Sequence, residues 1–418
     1  MVAKETELLP PKRLHYGWIV TGVSLLAVMG AVGFGRFAYT PLLPSMKVAM
    51  NLTYTETGLL GTGNFIGYLP FSLLGGLLAF LYGPRLLIAI SLVVVGVSMI
   101  LTGASEVFLF ALVMRFLTGV GSGGTNVPVM GLISSWFSPR RRGLGAGILV
   151  CGSSLGLISF RFYIPALLAL PGGSGWRVAW YALGGATLFL ALLSALLLRN
   201  HPAEKGLAPI GSPQASLQPG AQKVGRPTLA QMFATWPRLY RLAQLYFLFG
   251  FSYVIYLQFF NAYLERERGL APTASSSFLF LIGLVSVLSG PLWGSVSDRL
   301  GRKAGLAIVF GLQGTSQILL AYAHTPGMFT AASLLFGISV WSIPSIMAAA
   351  AADQVGPRLA PAGLGFITVV FGIGQALGPA LAGYLADFTG TFVTGFLVAS
   401  VAGYLGMVGS LTLKIQEE

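Results

Sequence analysis

Charge is the scarcest thing in this sequence. Of 418 residues only 9% are charged, against about 25% in a soluble domain. That excludes an ordinary soluble enzyme. Acidic residues are scarcer still, 12 against 25 lysines and arginines. Cysteine occurs once, at Cys151 inside an apolar run, which excludes an intrachain disulfide. The three histidines, His15, His201 and His324, are scattered and form no metal-binding pattern. No cofactor is expected. What fills the chain is apolar: 55% of residues are hydrophobic and mean hydropathy is +0.79. The expected fold class is an all-α polytopic membrane protein.

A membrane-crossing helix needs about 20 apolar residues. Twelve such runs can be drawn, at 17–45, 55–81, 84–103, 107–136, 143–170, 176–198, 241–264, 272–297, 304–323, 327–352, 361–386 and 391–413. The first is too long for a signal-peptide core and reads as a retained span. Short connections such as Tyr82-Gly83 force antiparallel neighbours. The expected organisation is a six-helix half over 1–198, a linker over 199–240 and a second six-helix half over 241–418. The linker is rich in Pro, Gly, Ser and Gln ("APIGSPQASLQPGAQKVGRP"), a composition that cannot form a core and predicts flexibility.

Basic residues orient the spans. With the N-terminus in the cytoplasm, 18 lysines and arginines fall on the cytoplasmic side, 4 on the other, and 3 within spans. This predicts a multi-pass protein of the plasma (inner) membrane with both termini cytoplasmic. The net charge of +13 is then a topology signal. No nucleic-acid partner is expected. The expected partners are the lipid bilayer, a small molecule and a possible coupling proton, and the protein is expected to act as a monomer.

The halves repeat weakly at an offset of 216 to 222 residues. "GLLAFLYGPR" (76–85) aligns with "GSVSDRLGRK" (294–303). Gly119 and Pro128 align with Gly337 and Pro344, and Gly152 and Gly156 with Gly374 and Gly378. "GFGRFAY" (33–39) aligns with "GFSYVIY" (250–256), which pairs Arg36 with Tyr253 and Tyr39 with Tyr256. Two parallel repeats imply a binding site at mid-depth between them.

"GSVSDRLGRK" resembles the signature between helices 8 and 9 of the major facilitator superfamily. "RFLTGVGSG" (115–123) is similar to its helix-4 motif, and "GWRVAWY" (175–181) to the opening of its helix 6. "HYGW" (15–18) and "NHPAEKGLAP" (200–209) resemble the oxalate/formate and monocarboxylate transporter branch. The resemblance implies a twelve-helix transporter working by alternating access, with spans 1, 4, 7 and 10 lining the cavity. It also implies gating by Asp298, Arg299 and Arg302 at the end of span 8. Gly76 and Gly294 would let helices approach closely there. Phe80 stands where the second half has Asp298, so the first-half gate must use other contacts.

Three arginines lie within spans: Arg36, Arg115 and Arg161. Buried charges in membranes are rare and mark function by default. Residues 17–46 hold no charge except Arg36, and no acidic residue lies deep in any span. An anionic substrate would compensate these charges, and a guanidinium suits a carboxylate through paired hydrogen bonds. Each arginine has a structural alternative. Arg36 is about 27 Å along its helix from Trp18, near enough to the outer surface to snorkel. Arg115 can bond backbone or Asn64. Arg161 can serve the outer gate. In the branch that the motifs resemble, cationic substrate residues sit in helix 8 or 11, and here those spans have none.

Polar and aromatic residues complete the candidate site: Tyr39, Asn64, Asn126, Tyr253, Tyr256, Gln258, Asn261, Gln317, Trp341 and Gln375. Helix–helix hydrogen bonding is the alternative for each. The expected function is secondary active or facilitative transport of a small organic anion resembling a monocarboxylate. The alternative is efflux of uncharged sugars or hydrophobic drugs. A receptor built on this scaffold would need a soluble domain that the linker and termini do not provide. An intramembrane enzyme would need a metal cluster, an Asp pair or a serine–base arrangement, and none is present.

Overall fold

A computed structural model of the chain describes residues 15–138, 141–212, 229–355 and 359–413. Residues 1–14, 139–140, the linker stretch 213–228, 356–358 and 414–418 lie outside the described residues, Arg140 and Arg358 among them. Twelve helices are long and apolar enough to cross a membrane. They are α1 (Tyr16–Ala49), α2 (Tyr54–Tyr82), α3 (Pro84–Gly103), α4 (Phe108–Trp136), α5 (Arg142–Leu168), α6 (Gly175–Leu197), α7 (Leu239–Arg266), α8 (Pro272–Leu300), α9 (Arg302–Ala321), α10 (Pro326–Val355), α11 (Gly363–Thr389) and α12 (Val393–Leu411). They coincide with the twelve apolar runs to within a few residues. Helices are forced because every backbone polar group in lipid must be bonded internally.

The ends have local causes. Thr53 and Glu56 form a capping box at the start of α2. Gly83, at φ 85°, separates α2 from α3 alone, and Pro84 takes the first position of α3. Gly301, at φ 86°, does the same between α8 and α9, so the repeat survives as matched turns.

Two helices depart from regularity. In α1 a π-helix occupies Met29–Phe37 between α-helical Tyr16–Val28 and Tyr39–Ala49. In α10 the helix breaks at Val340-Trp341. Pro41 and Pro44 both fall inside the first span, as the apolar run 17–45 has them. The chain restarts as α-helix at Tyr39, with Pro41 in that first turn, where a missing N–H costs little. The helix then runs on to Ala49.

Within the first half, α2 packs on α4, α3 on α6 and α1 on α5. In the second half the matching pairs are α7 on α11, α9 on α12 and α8 on α10. Between the halves, α2 meets α11, α5 meets α8, and the last part of α1 meets α7. Six crossings per half put the start of α1 and the segment after α6 on one face, here termed the linker face.

Part of the expected flexible linker is ordered. Residues 199–212 pack under the first half. Asn200 Oδ1 accepts from Arg85 N at 2.9 Å and so caps α3. Trp136 Nε1 donates to Arg199 O, Ile210 pairs with Phe137 as a parallel bridge, and His15 Nε2 contacts Ala208 O at 3.0 Å. Composition missed this because the partners lie on three other segments, distant in sequence.

On the linker face a cleft of about 710 Å³ opens between α2, α4 and α11, lined by Tyr68, Gly76, Met130, Leu364 and Thr368 among others. The far face is sealed. Asp387 at the end of α11 accepts from the backbone N–H groups of Tyr54 and Thr55 at 2.9 and 2.6 Å, an anion on the N-terminus of α2. Arg266 of α7 donates to Pro44 O of α1 at 3.0 Å. The helices touch closely there because Gly58 and Gly383 lack side chains. A Cβ at Gly58 would meet Pro379 O at 2.2 Å, and one at Gly383 would meet Tyr54 O at 2.3 Å.

Candidate functional site

The π segment carries Arg36. A π-helix widens the turn and is common at functional sites. Arg36 turns inward, with its guanidinium 4.7 Å from the Phe65 ring and 4.4 Å from the Tyr68 ring, both on α2. The side chain packs between α1 and α2, and α1 continues thirteen residues past Arg36. Its Nε and Nη2 atoms are buried and have no hydrogen-bond partner. The Tyr68 hydroxyl accepts from Asn126 Nδ2 of α4 at 3.0 Å. Tyr68 lines the linker-face cleft and touches Arg36, so it stands between the open cleft and that guanidinium.

Beside it is a small cavity of about 20 Å³, room for one water. Its walls come from α1 (Arg36, Phe37, Tyr39, Thr40), α2 (Gly61, Phe65), α4 (Arg115) and α7 (Tyr253, Val254, Leu257, Gln258). No acidic residue is among them. Arg115 is 1% exposed. It donates through Nη1 to Gly35 O of the π segment at 2.6 Å and lies over the Tyr39 ring at 4.9 Å. Its Nε is buried without a partner. Two guanidiniums thus share one small cavity, with three donor atoms unfilled.

The roof on the far side is a shared acceptor. Thr57 O accepts from the Tyr39 hydroxyl at 2.8 Å and from Gln258 Nε2 at 3.2 Å, which joins α1, α2 and α7. The second-half wall is aromatic. Tyr253 packs on Phe249 and Phe371, and its hydroxyl bonds Gln375 Nε2 of α11. Trp341, at the break in α10, packs on Phe37 and Tyr253 and donates through Nε1 to Ser154 of α5 at 3.2 Å.

Of the eleven expected binding residues, Arg36, Tyr39, Arg115, Tyr253 and Gln258 line this cavity. Trp341 and Gln375 stand one contact behind it, and Asn126 reaches it through Tyr68 and Arg36. Three are not brought to it. Asn64 is buried between α2 and α4, with Nδ2 on Arg115 O at 3.3 Å. Tyr256 stacks on Phe336 at 3.8 Å inside the second half. It fails the expected equivalence with Tyr39 because α1 is widened and α7 is regular. Arg161 is half-exposed late in α5 and, among the described residues, lines neither cavity nor cleft. Asn261 bonds Ser275, and Gln317 bonds Ser252, both within the second half. Phe65 and Tyr68 were missed. Their three-residue spacing beside a buried arginine's helix was the available signal.

The expected gate is partly redrawn. Arg302 bonds both Asp298 and Asp353, at 3.0 Å to the latter, and ties together the linker-face ends of α8, α9 and α10. Arg299 is exposed and, among the described residues, has no ion pair. Close approach at Gly76 and Gly294 is corrected. A Cβ at Gly76 would come no nearer than 4.0 Å to Val127, and one at Gly294 would meet nothing. The reason is that this face is open. In the first half Arg85 donates to Ala195 O at the end of α6, a helix C-terminus in place of the missing carboxylate.

The chain is a transporter of the major facilitator superfamily, and not an enzyme. Within it, the chain belongs to the family whose model is described as "Uncharacterised MFS-type transporter YbfB", matched over residues 28–411. It is 26% identical over 392 residues to a probable sulfoacetate transporter, SauU, of Cupriavidus necator, covering 89% of this chain and 88% of that one. It is also 26% identical to the hexuronate transporter of Bacillus subtilis, covering 94% and 93%. Among solved structures it is similar to a bacterial homologue of the human lysosomal transporter Spinster, in an inward-facing and unoccupied conformation. The TM-score is 0.75 at 16% identity, with 95% of each chain covered.

Proposed function

We propose that this protein carries a small organic anion across the membrane by alternating access, with the anion's carboxylate or sulfonate held by Arg36. The observation that carries this is the set of unfilled donors, Arg36 Nε and Nη2 and Arg115 Nε, around a cavity with no acidic lining. Each buried donor left unpaired costs about 1–3 kcal/mol, which an anionic oxygen would recover. Arg36 is the ligand and Arg115 its support, since Arg115 already spends Nη1 on Gly35 O. Tyr39, Tyr253 and Gln258 contact the bound molecule. Asn126, Trp341 and Gln375 position the wall. Asp298, Arg302 and Asp353 hold the linker-face gate, and the Asp387 and Arg266 contacts hold the far one. The relatives' names, sulfoacetate and hexuronate, support an organic acid as cargo.

In the linker-open state the substrate reaches Arg36 by displacing Tyr68. Placing the linker face in the cytoplasm of the plasma (inner) membrane follows from the 18-to-4 distribution of basic residues. The protein acts as a monomer.

Counterflow in proteoliposomes tests this reading, with sulfoacetate, glucuronate, lactate, glucose and a cationic dye as probes. An anion is expected to exchange, and the other anions to compete with it. Transport of glucose or the dye, with no anion moving or competing, would overturn it.

A further inference from the structure

The described carboxylates, with one exception, are placed as an ion pair, a helix cap or an exposed loop group. Asp298 and Asp353 hold Arg302. Glu56 and Asp387 cap α2. Glu267 accepts from Phe392 N at the start of α12, and Glu204 accepts from Asn200 N. Glu106 is exposed in a connection.

Glu265 is the exception. The apolar run predicted an end at residue 264, but α7 reaches Arg266, so Glu265 falls within the helix. It is partly buried, and its carboxylate accepts from Ser275 Oγ of α8 at 2.5 Å. No cation is within ion-pair distance among the described residues. Ser275 Oγ also accepts from Asn261 Nδ2 at 3.0 Å. Asn261 is fully buried, and its Oδ1 has no partner.

The charged groups nearby are committed elsewhere. Arg266 reaches across to Pro44 O, Glu267 turns to α12, and Arg268 bonds Tyr263 and His324. The facing turn of α8, residues 272–277, has only Pro, Thr, Ala and Ser.

We propose that Glu265 binds a proton that travels with the substrate, which deepens the transport reading and rests on it. The surrounding groups suit both states of the carboxyl. Ser275 donates to the carboxylate, and when the acid is protonated it can donate to Ser275 Oγ, whose hydroxyl turns to Pro272 O at 3.1 Å. Gln258, Asn261 and Glu265 follow at spacings of three and four, so they share one face of α7. Gln258 lines the arginine cavity, about 10 Å along the helix from Glu265. The neighbouring residue, Arg266, forms part of the far-side seal. Opening that seal exposes Glu265 to the far side, where the carboxylate takes a proton. Closing it leaves the Asn261–Gln258 row and the cavity as the way out. One proton enters as the carboxyl forms and leaves as the carboxylate returns.

Proteoliposomes holding the full chain test this with sulfoacetate and glucuronate, both too polar to leak. Counterflow at equal pH and accumulation under a one-unit pH gradient, acid outside and membrane potential clamped, are measured for the parent and Glu265→Gln. The parent is expected to accumulate up to about tenfold for one proton per substrate. Glu265→Gln should only equilibrate while keeping counterflow within threefold. A bracing role would not produce this split, because glutamine accepts the same Ser275 bond. Accumulation by the variant overturns the proposal, as does loss of its counterflow. Parent counterflow without pH-driven accumulation overturns the proton site and leaves the anion reading standing. Infrared difference spectra between acid and alkaline pH need no substrate. A deuterium-sensitive carboxylic-acid band that Glu265→Gln removes supports the site, and its absence in the parent overturns it.

Discussion

Replacing Arg36 by glutamine should destroy anion recognition while leaving the fold intact, and the numbers follow from its surroundings. In the ligand-free protein, Nε and Nη2 are buried and unpaired. Each such donor costs about 1–3 kcal/mol. The stacking on Phe65 and Tyr68 returns about 1 kcal/mol per ring. The stacking offsets the lower end of that cost, so removing the guanidinium should not lower the melting temperature by more than about 2 °C. Binding has no such offset. Two charge-assisted hydrogen bonds contribute about 1.5 kcal/mol each, so their loss raises the KM for counterflow about 100-fold. Arg36→Lys keeps the charge and loses the fork, and should raise KM about tenfold. Counterflow kinetics and thermal denaturation read the two effects separately. A KM within threefold of the parent for Arg36→Gln would refute the ligand assignment. Unfolding of that variant would make Arg36 a structural strut and refute it equally.

Arg115→Gln should differ by also losing the bond to Gly35 O, so thermal denaturation should register a loss of about 2 kcal/mol as well as weak transport. Asp387→Asn removes the charge from the N-terminus of α2, worth about 1 kcal/mol. The far-side-open population should rise about fivefold, read by labelling a cysteine placed on that face in a Cys151→Ser background. Gly58→Val puts a Cβ 2.2 Å from Pro379 O and should hold the far side open, with full labelling there and no counterflow. Asn200→Ala removes the cap on α3 and should cost about 1 kcal/mol in thermal denaturation with KM unchanged.

Much of the architecture was legible in one dimension, because lipid reduces the problem to counting apolar residues. The twelve runs and the twelve helices agree to within a few residues. Boundaries failed where a helix tolerates what a hydropathy count does not. The first helix runs on past Lys47 to Ala49 where the apolar run stopped at 45, and α7 runs past Glu265 to Arg266 where the run stopped at 264. The second extension hid a carboxylate. The ordered stretch 199–212 was illegible because the bonds that anchor it to the helices go to segments distant in sequence.

The site itself was half legible. Charges within spans are rare enough to name Arg36, Arg115 and Arg161 from sequence, but rarity does not say which way a side chain turns. Arg36 and Arg115 meet at one cavity, and Arg161 does not. Tyr253 and Tyr256 looked alike, yet one faces that cavity and the other stacks on Phe336.

The sequence by itself determined the class, the number of crossings and the excess of positive charge within the membrane, because the cost of exposing polar groups to lipid acts on each segment separately. Only the tertiary structure decided the rest. Which face is closed depends on contacts between helices hundreds of residues apart, Asp387 on the start of α2 above all. Which arginine lacks a partner depends on the π turn at Met29–Phe37 and on Tyr68, which stands against Arg36 and the open cleft.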